Sequence, residues 1–98
     1  ISSDPMFYNI MGRNNEALGL YEAAECCYMY SHNMVPSRIY PLSLLMKMKI
    51  RAGSTQEAIA IGKKIQSMHV NDKVLTMRRL QKECLAQLDS LRNLTYAL

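Results

Sequence analysis

The chain repeats itself at a spacing of 34 residues, and no other feature limits its fold as much. Gly19 and Gly53 stand 34 apart, as do Ala24 and Ala58, Glu22 and Gln56, Tyr8 and Leu42, and Met11 and Leu45. On either side of each glycine, apolar residues recur at the three- and four-residue spacing of a helix face. A unit of helix, glycine turn and helix therefore occurs twice. Such a unit buries its apolar face only against a neighbour.

Local signals place five helices. In SDPMFYNIMGRNNEAL, Ser3 or Asp4 can cap a first helix, and Pro5 suits its first turn, where the missing N–H costs nothing. Tyr8, Met11 and Leu18 give it a stripe, and Gly19 ends it, because glycine tolerates positive φ. YEAAECCYMYSHN makes a second helix with Tyr21, Ala24, Tyr28 and Ser31 or His32 on one stripe. Pro36 stops it and Pro41 sits in the first turn of the third, with Ser37 as a candidate cap. Leu42, Leu45, Met46 and Ile50 lead to Gly53; Ser54 or Thr55 then caps a fourth helix, with Glu57 in its first turn and Ala58, Ile59, Ile61 and Ile65 as its stripe. A fifth helix over 73–92 carries Val74, Met77, Leu80 or Gln81, Cys84, Leu88 and Leu91. No β alternation occurs, and the fold class is all-α.

A helix pair every 34 residues resembles the tetratricopeptide repeat (TPR) family. Unit one, residues 5–38, matches that pattern through Tyr8, Met11, Gly12, Gly19, Tyr21, Ala24, Tyr28, Ser31 and Pro36. Unit two, residues 39–72, matches through Leu42, Leu45, Gly53, Ala58 and Ile65. It departs at Met46, where a small residue is usual, at Gly62, where an aromatic is usual, and at Val70, which replaces the proline. The resemblance implies one domain over 1–98: a right-handed solenoid of two repeats, a capping helix over 73–92 and a tail over 93–98. Gly12 with Tyr28 in unit one, and Met46 with Gly62 in unit two, suggest a size exchange across each helix pair that keeps the packed volume. The chain begins at Ile1 rather than methionine, and nothing comparable to the fifth helix covers the N-terminal side. Further repeats or another domain are expected ahead of it.

A narrower stretch, VPSRIYPLSLLMKMKIRAGSTQEAIAIGKKI, resembles the C-terminal extension of bacterial O-antigen ligase/polymerase-like membrane proteins. The junction from Pro36 to Pro41 and the Leu42, Leu44, Leu45, Met46, Lys47 run behind it carry the likeness. It implies a soluble domain tethered through a membrane-spanning parent that handles lipid-linked polysaccharide. The domain would lie on the cytoplasmic face of an inner membrane, with the periplasmic side as the alternative. The fragment itself has no apolar run of the roughly 20 residues a spanning helix needs.

Charge and cysteines narrow the function. Residues 1–34 carry Arg13 against Asp4, Glu16, Glu22 and Glu25, a net −3, whereas 35–98 carry eleven bases against four acids, a net +7. The basic residues are spread over several helices without interleaved aromatics, which argues against a nucleic-acid partner. Docking to anionic lipid through Lys47, Lys49, Arg51, Lys63 and Lys64 is one alternative; a structural end segment of a longer soluble scaffold is another. Cys26, Cys27 and Cys84 have no zinc-type spacing and read as small buried thiols. His32 and His69 lie near helix ends, where a cation suits the dipole or the ring is simply exposed. No nucleophile–base pair, phosphate loop or metal-ligand cluster assembles, so neither catalysis nor a cofactor is expected.

A non-catalytic protein–protein interaction role is the expectation. The TPR resemblance implies a concave surface lined by the first helix of each pair. Here that selects Met6, Asn9, Arg13 and Glu16 in unit one and Tyr40, Ser43, Lys47 and Arg51 in unit two. Arg13, Lys47 and Arg51 suit a carboxylate or phosphate, and Tyr40 an amphipathic anchor. Leu44 stands where the family's chaperone-tail clamp has a polar amide, so chaperone C-termini are not the expected ligand.

Overall fold

The computed structural model describes residues 3–69 and 75–97. It holds five helices, α1 Pro5–Ala17, α2 Tyr21–Met34, α3 Tyr40–Arg51, α4 Thr55–Ser67 and α5 Leu75–Ala97. No strand occurs among the described residues. α1 packs mainly on α2, α3 on α4, and α4 on α5, while α2 and α3 join the two pairs. The molecule measures 44 × 36 × 17 Å, a slab under two helix diameters thick.

The two glycine turns are built alike. Gly19 has φ 77° and Gly53 φ 78°. The N–H of Gly19 donates to the Glu16 carbonyl (2.9 Å) and that of Leu20 to Asn15 (2.8 Å); Gly53 donates to Ile50 (3.1 Å) and Ser54 to Lys49 (2.9 Å). Each turn thus satisfies two carbonyls that the helix end leaves open, through a left-handed residue that only glycine supplies cheaply. Elsewhere the start of α1 follows expectation, and the ends of α3, α4 and α5 depart from it. Asp4 caps α1 by accepting from the Met6 N–H (3.0 Å), with Pro5 in the first turn. Ser54 stands at the N-cap of α4 without a side-chain cap bond, and the N-cap of α3 is Ile39 rather than Ser37. α5 continues past Arg92 to Ala97, since neither proline nor glycine follows to stop it, so the expected tail is largely helical. Val74, expected on its stripe, lies outside the described residues.

The core lies mainly in the second half. Ile39, Leu42, Met46, Ala58, Ile59, Ile65, Cys84, Leu88 and Leu91 form one cluster across α3, α4 and α5. Ala24, Tyr28, Leu45 and Met48 form a second between α2 and α3. Gln81 of α5 donates to the carbonyls of Ile65 (3.2 Å) and Met68 (3.0 Å), closing the C-terminal end of α4. The size exchange has direct counterparts: a Cβ on Gly12 would enter the Tyr28 ring, and one on Gly62 would stand 3.0 Å from both Met46 Cε and Leu88 Cδ1.

α1 corrects the expected stripe. It buries Asn9 and Gly12, one turn apart, while Met11 and Leu18 face solvent. The bare glycine lets the helix settle on Tyr28, so the line through residues 9 and 12 becomes the inner one. His32 also departs from its expected role. It is buried, and burial, with Lys64 adding to it, lowers its pKa below the usual histidine value. Of the cysteines only Cys84 is buried, which raises its thiol pKa; Cys26 is exposed and Cys27 half-buried.

Candidate binding groove

The junction of the two helix pairs leaves an open groove of about 580 Å³ lined by Arg13, Glu16, Ala17, Tyr21, Tyr40, Leu44, Lys47 and Arg51. α1 contributes its C-terminal half, α3 most of its outward face, and Tyr21 is the first residue of α2. Five of the eight residues that the sequence selects come together here: Arg13, Glu16, Tyr40, Lys47 and Arg51. The other three do not line it. Met6 is exposed, whereas Asn9 and Ser43 are buried. Those two sit 34 residues apart, on the side of each first helix turned into the protein. Ser43 Oγ donates to the Tyr40 carbonyl (2.6 Å), and Asn9 Oδ1 has no hydrogen-bond partner among the described residues.

Three lining residues escaped the sequence projection, which followed first helices only. Tyr21 belongs to the second helix of unit one, and its place directly after the Gly19–Leu20 turn was the available signal. Leu44 and Ala17 are neighbours in sequence of selected residues, and the projected helix positions passed over them.

The charges in the groove are not equally available. Glu16, with only 11% of its side chain exposed, is ion-paired with Arg51 and accepts the Tyr28 hydroxyl (2.9 Å). Burial first, then the Glu16 carboxylate, push the Tyr28 phenol well above its ordinary pKa, so it stays a donor. Glu16 is thus a fixed post joining α1, α2 and α3, and it holds Arg51 to the groove wall. Lys47 pairs with Glu83 of α5 at 3.0 Å. Arg13 has no ion pair among the described residues, so its guanidinium is the cation most open to an incoming anion.

Lys49 meets Glu57 at 2.5 Å and Glu25 at 2.9 Å. The Glu57 hydrogen bond above all raises its pKa, against the opposing effect of burial. Glu57 thus bridges to α3 and does not close a cap on its own helix. Lys47, Lys49 and Arg51 all carry partners, so of the five bases considered for lipid docking only Lys63 and Lys64 lack an ion pair among the described residues. No group of three or more potential metal ligands occurs among the described residues. None of the described helices is long and apolar enough to cross a membrane.

Comparison of the chain with protein-family models, with curated proteins and with solved structures returns no match. Its own helices define its class: an all-α protein of two glycine-turned helix pairs and a long fifth helix.

Proposed function

We propose that this chain is a non-catalytic protein–protein interaction module, and that the groove between its helix pairs takes an extended acidic peptide from a partner protein. The observation that carries this is the convergence of Arg13, Lys47 and Arg51 with Tyr21, Tyr40 and Leu44 in one open channel. Arginine can hold a carboxylate through two parallel hydrogen bonds. The tyrosines offer wide apolar surface with a polar tip, a common makeup for an interface anchor. Glu16 is neutralised by Arg51, so the groove presents a net positive lining.

The same reading makes the architecture a TPR-like right-handed solenoid of two repeats with α5 as the cap. The matching glycine turns and the corresponding bounds of the helix pairs support it. Attachment to an O-antigen ligase-like membrane parent, on either membrane face, has the support of the double-proline junction and the Leu42–Lys47 run behind it.

Selection of displayed random dodecamers on the full chain tests the proposal. Acidic peptides containing an aromatic or large apolar residue should be enriched. Arg13→Ala, which leaves every ion pair described above intact, should weaken their binding about tenfold, the scale of one charge-assisted contact. Binding should also fall as salt rises. Enrichment of basic or purely apolar peptides, or hits indifferent to Arg13→Ala, would count against the groove.

A further inference from the structure

We infer that the outer face of α1 is a docking site for the second helix of another antiparallel helix pair, one presenting an alanine and an aromatic residue a turn apart. This surface adjoins the groove, with Ile10 beside Arg13 and Ala17, but does not depend on the groove's function.

The first observation is where apolar surface is left uncovered. Of the nine exposed large hydrophobic side chains among the described residues, eight lie between Met6 and Tyr30; the ninth is Leu94. On α1, Phe7, Ile10 and Met11 are 46%, 52% and 39% exposed and follow the spacing of one helix face. A grouped apolar surface of this kind marks an interaction site more often than scattered residues do.

The second observation says what covers it. Thirty-four residues on, Phe7, Ile10 and Met11 become Pro41, Leu44 and Leu45. Pro41 and Leu45 are buried, and Leu45 packs with Ala24 and Tyr28 of α2, with Leu44 against the same cluster. The face that α1 leaves open is therefore the one that α3 closes on α2. Its natural occupant is a helix like α2, with a small residue and an aromatic in the places of Ala24 and Tyr28. The match is not complete at the lower edge, where Asn14 and Asn15 stand for Met48 and Lys49. Contacts there would be amide hydrogen bonds in place of apolar packing and an ion pair.

A second copy of this chain does not offer that stripe. Ala24 and Tyr28 are fully buried in the cluster with α3. The corresponding Ala58 and Gly62 of α4 are buried too, Ala58 in the cluster with Cys84 and Leu88 and Gly62 against Leu88.

The experiment is the full chain extended by an added copy of residues 5–38 placed ahead of Pro5. If the face accepts such a helix, the extended protein melts in one cooperative transition with Tm raised by roughly 10 °C. Phe7→Glu with Ile10→Glu in the original copy should remove that rise. The same pair in the unextended chain should shift Tm by less than about 2 °C, because both side chains are exposed there. A separate melting step for the added copy, or a gain indifferent to the two glutamates, overturns the proposal. Should the extended chain fail to fold, a stapled helix of residues 21–34 titrated into the full chain gives the answer by NMR. Amide shifts centred on Phe7, Ile10 and Met11 support the docking site, and shifts confined elsewhere overturn it. A dimer of the unextended chain that Ile10→Glu dissociates in sedimentation would also overturn it, because the occupant would then be a second copy.

Discussion

Met11 and Leu45 occupy the same point of two helix pairs, yet Met11 is 39% exposed and Leu45 is 2% exposed. The difference extends to whole units. α3 and α4 are held between α2 on one side and α5 on the other, and nearly every apolar position they carry is buried or half-buried. α1 and α2 have a neighbour on one side only. α1 keeps Asn9 and Gly12 inside and leaves Phe7, Ile10 and Met11 outside. A repeated sequence pattern therefore fixes which face is apolar, while burial of that face depends on whether something stacks on it.

Truncation at the matched positions should give the largest contrast. Leu45→Ala removes a buried side chain from the cluster between the pairs and should cost about 2–5 kcal/mol. Met11→Ala should stay within about 0.5 kcal/mol, as exposed substitutions usually do. Urea denaturation of both variants checks this; equal losses would mean that α1 buries Met11 in solution.

The two glycines inside helices sharpen the comparison at a smaller scale. Gly12→Ala drives a Cβ into the face of the Tyr28 ring, which is itself held by its hydrogen bond to Glu16. It should destabilise by about 1–3 kcal/mol despite the better helix propensity of alanine. Gly62→Ala meets the ends of Met46 and Leu88 at 3.0 Å and the Leu88 Cβ at 3.3 Å, a milder approach than that of Gly12 to Tyr28. Its packing loss should nearly cancel the propensity gain, leaving it within about 1 kcal/mol of the parent. Gly62→Phe, in contrast, should overpack and lower Tm. A rise in Tm on Gly62→Phe would remove the size-exchange account.

How much of this was legible beforehand follows from which forces act locally. The glycine turns, the Asp4 cap and the Pro41 start depend on a few adjacent residues, and the sequence showed them directly. The stripes of α4 and α5 were legible because both helices pack on a well-filled core. α1 was not: Tyr28 is far along the chain, and only its seat on Gly12 turns Asn9 inward. The same limit applies in the groove. Arg13, Glu16, Tyr40, Lys47 and Arg51 could be projected from helix register, whereas the pairing of Glu16 with Arg51 and Tyr28 is a tertiary fact. Tyr21 was missed because a turn, not a helix face, brings it there.

His32 offers the smallest effect and the finest test of the contrast between the units. Thirty-four residues on stands Gln66, which is exposed, so the burial of His32 belongs to the junction and not to the repeat pattern. Its Nδ1 and the Ser31 hydroxyl beside it have no hydrogen-bond partner among the described residues. Burial and the Lys64 ammonium both disfavour the imidazolium, so the folded-state pKa lies below the unfolded one. Below about pH 6.5 the unfolded chain therefore binds the extra proton first. Stability should fall as pH drops from that value towards the folded pKa, and be insensitive to this group above it. His32→Leu should flatten the slope between about pH 6.5 and pH 5, before carboxylates dominate the titration. If the variant keeps the parent's slope, His32 reaches water in solution, and the C-terminal end of α2 is more open than its burial implies.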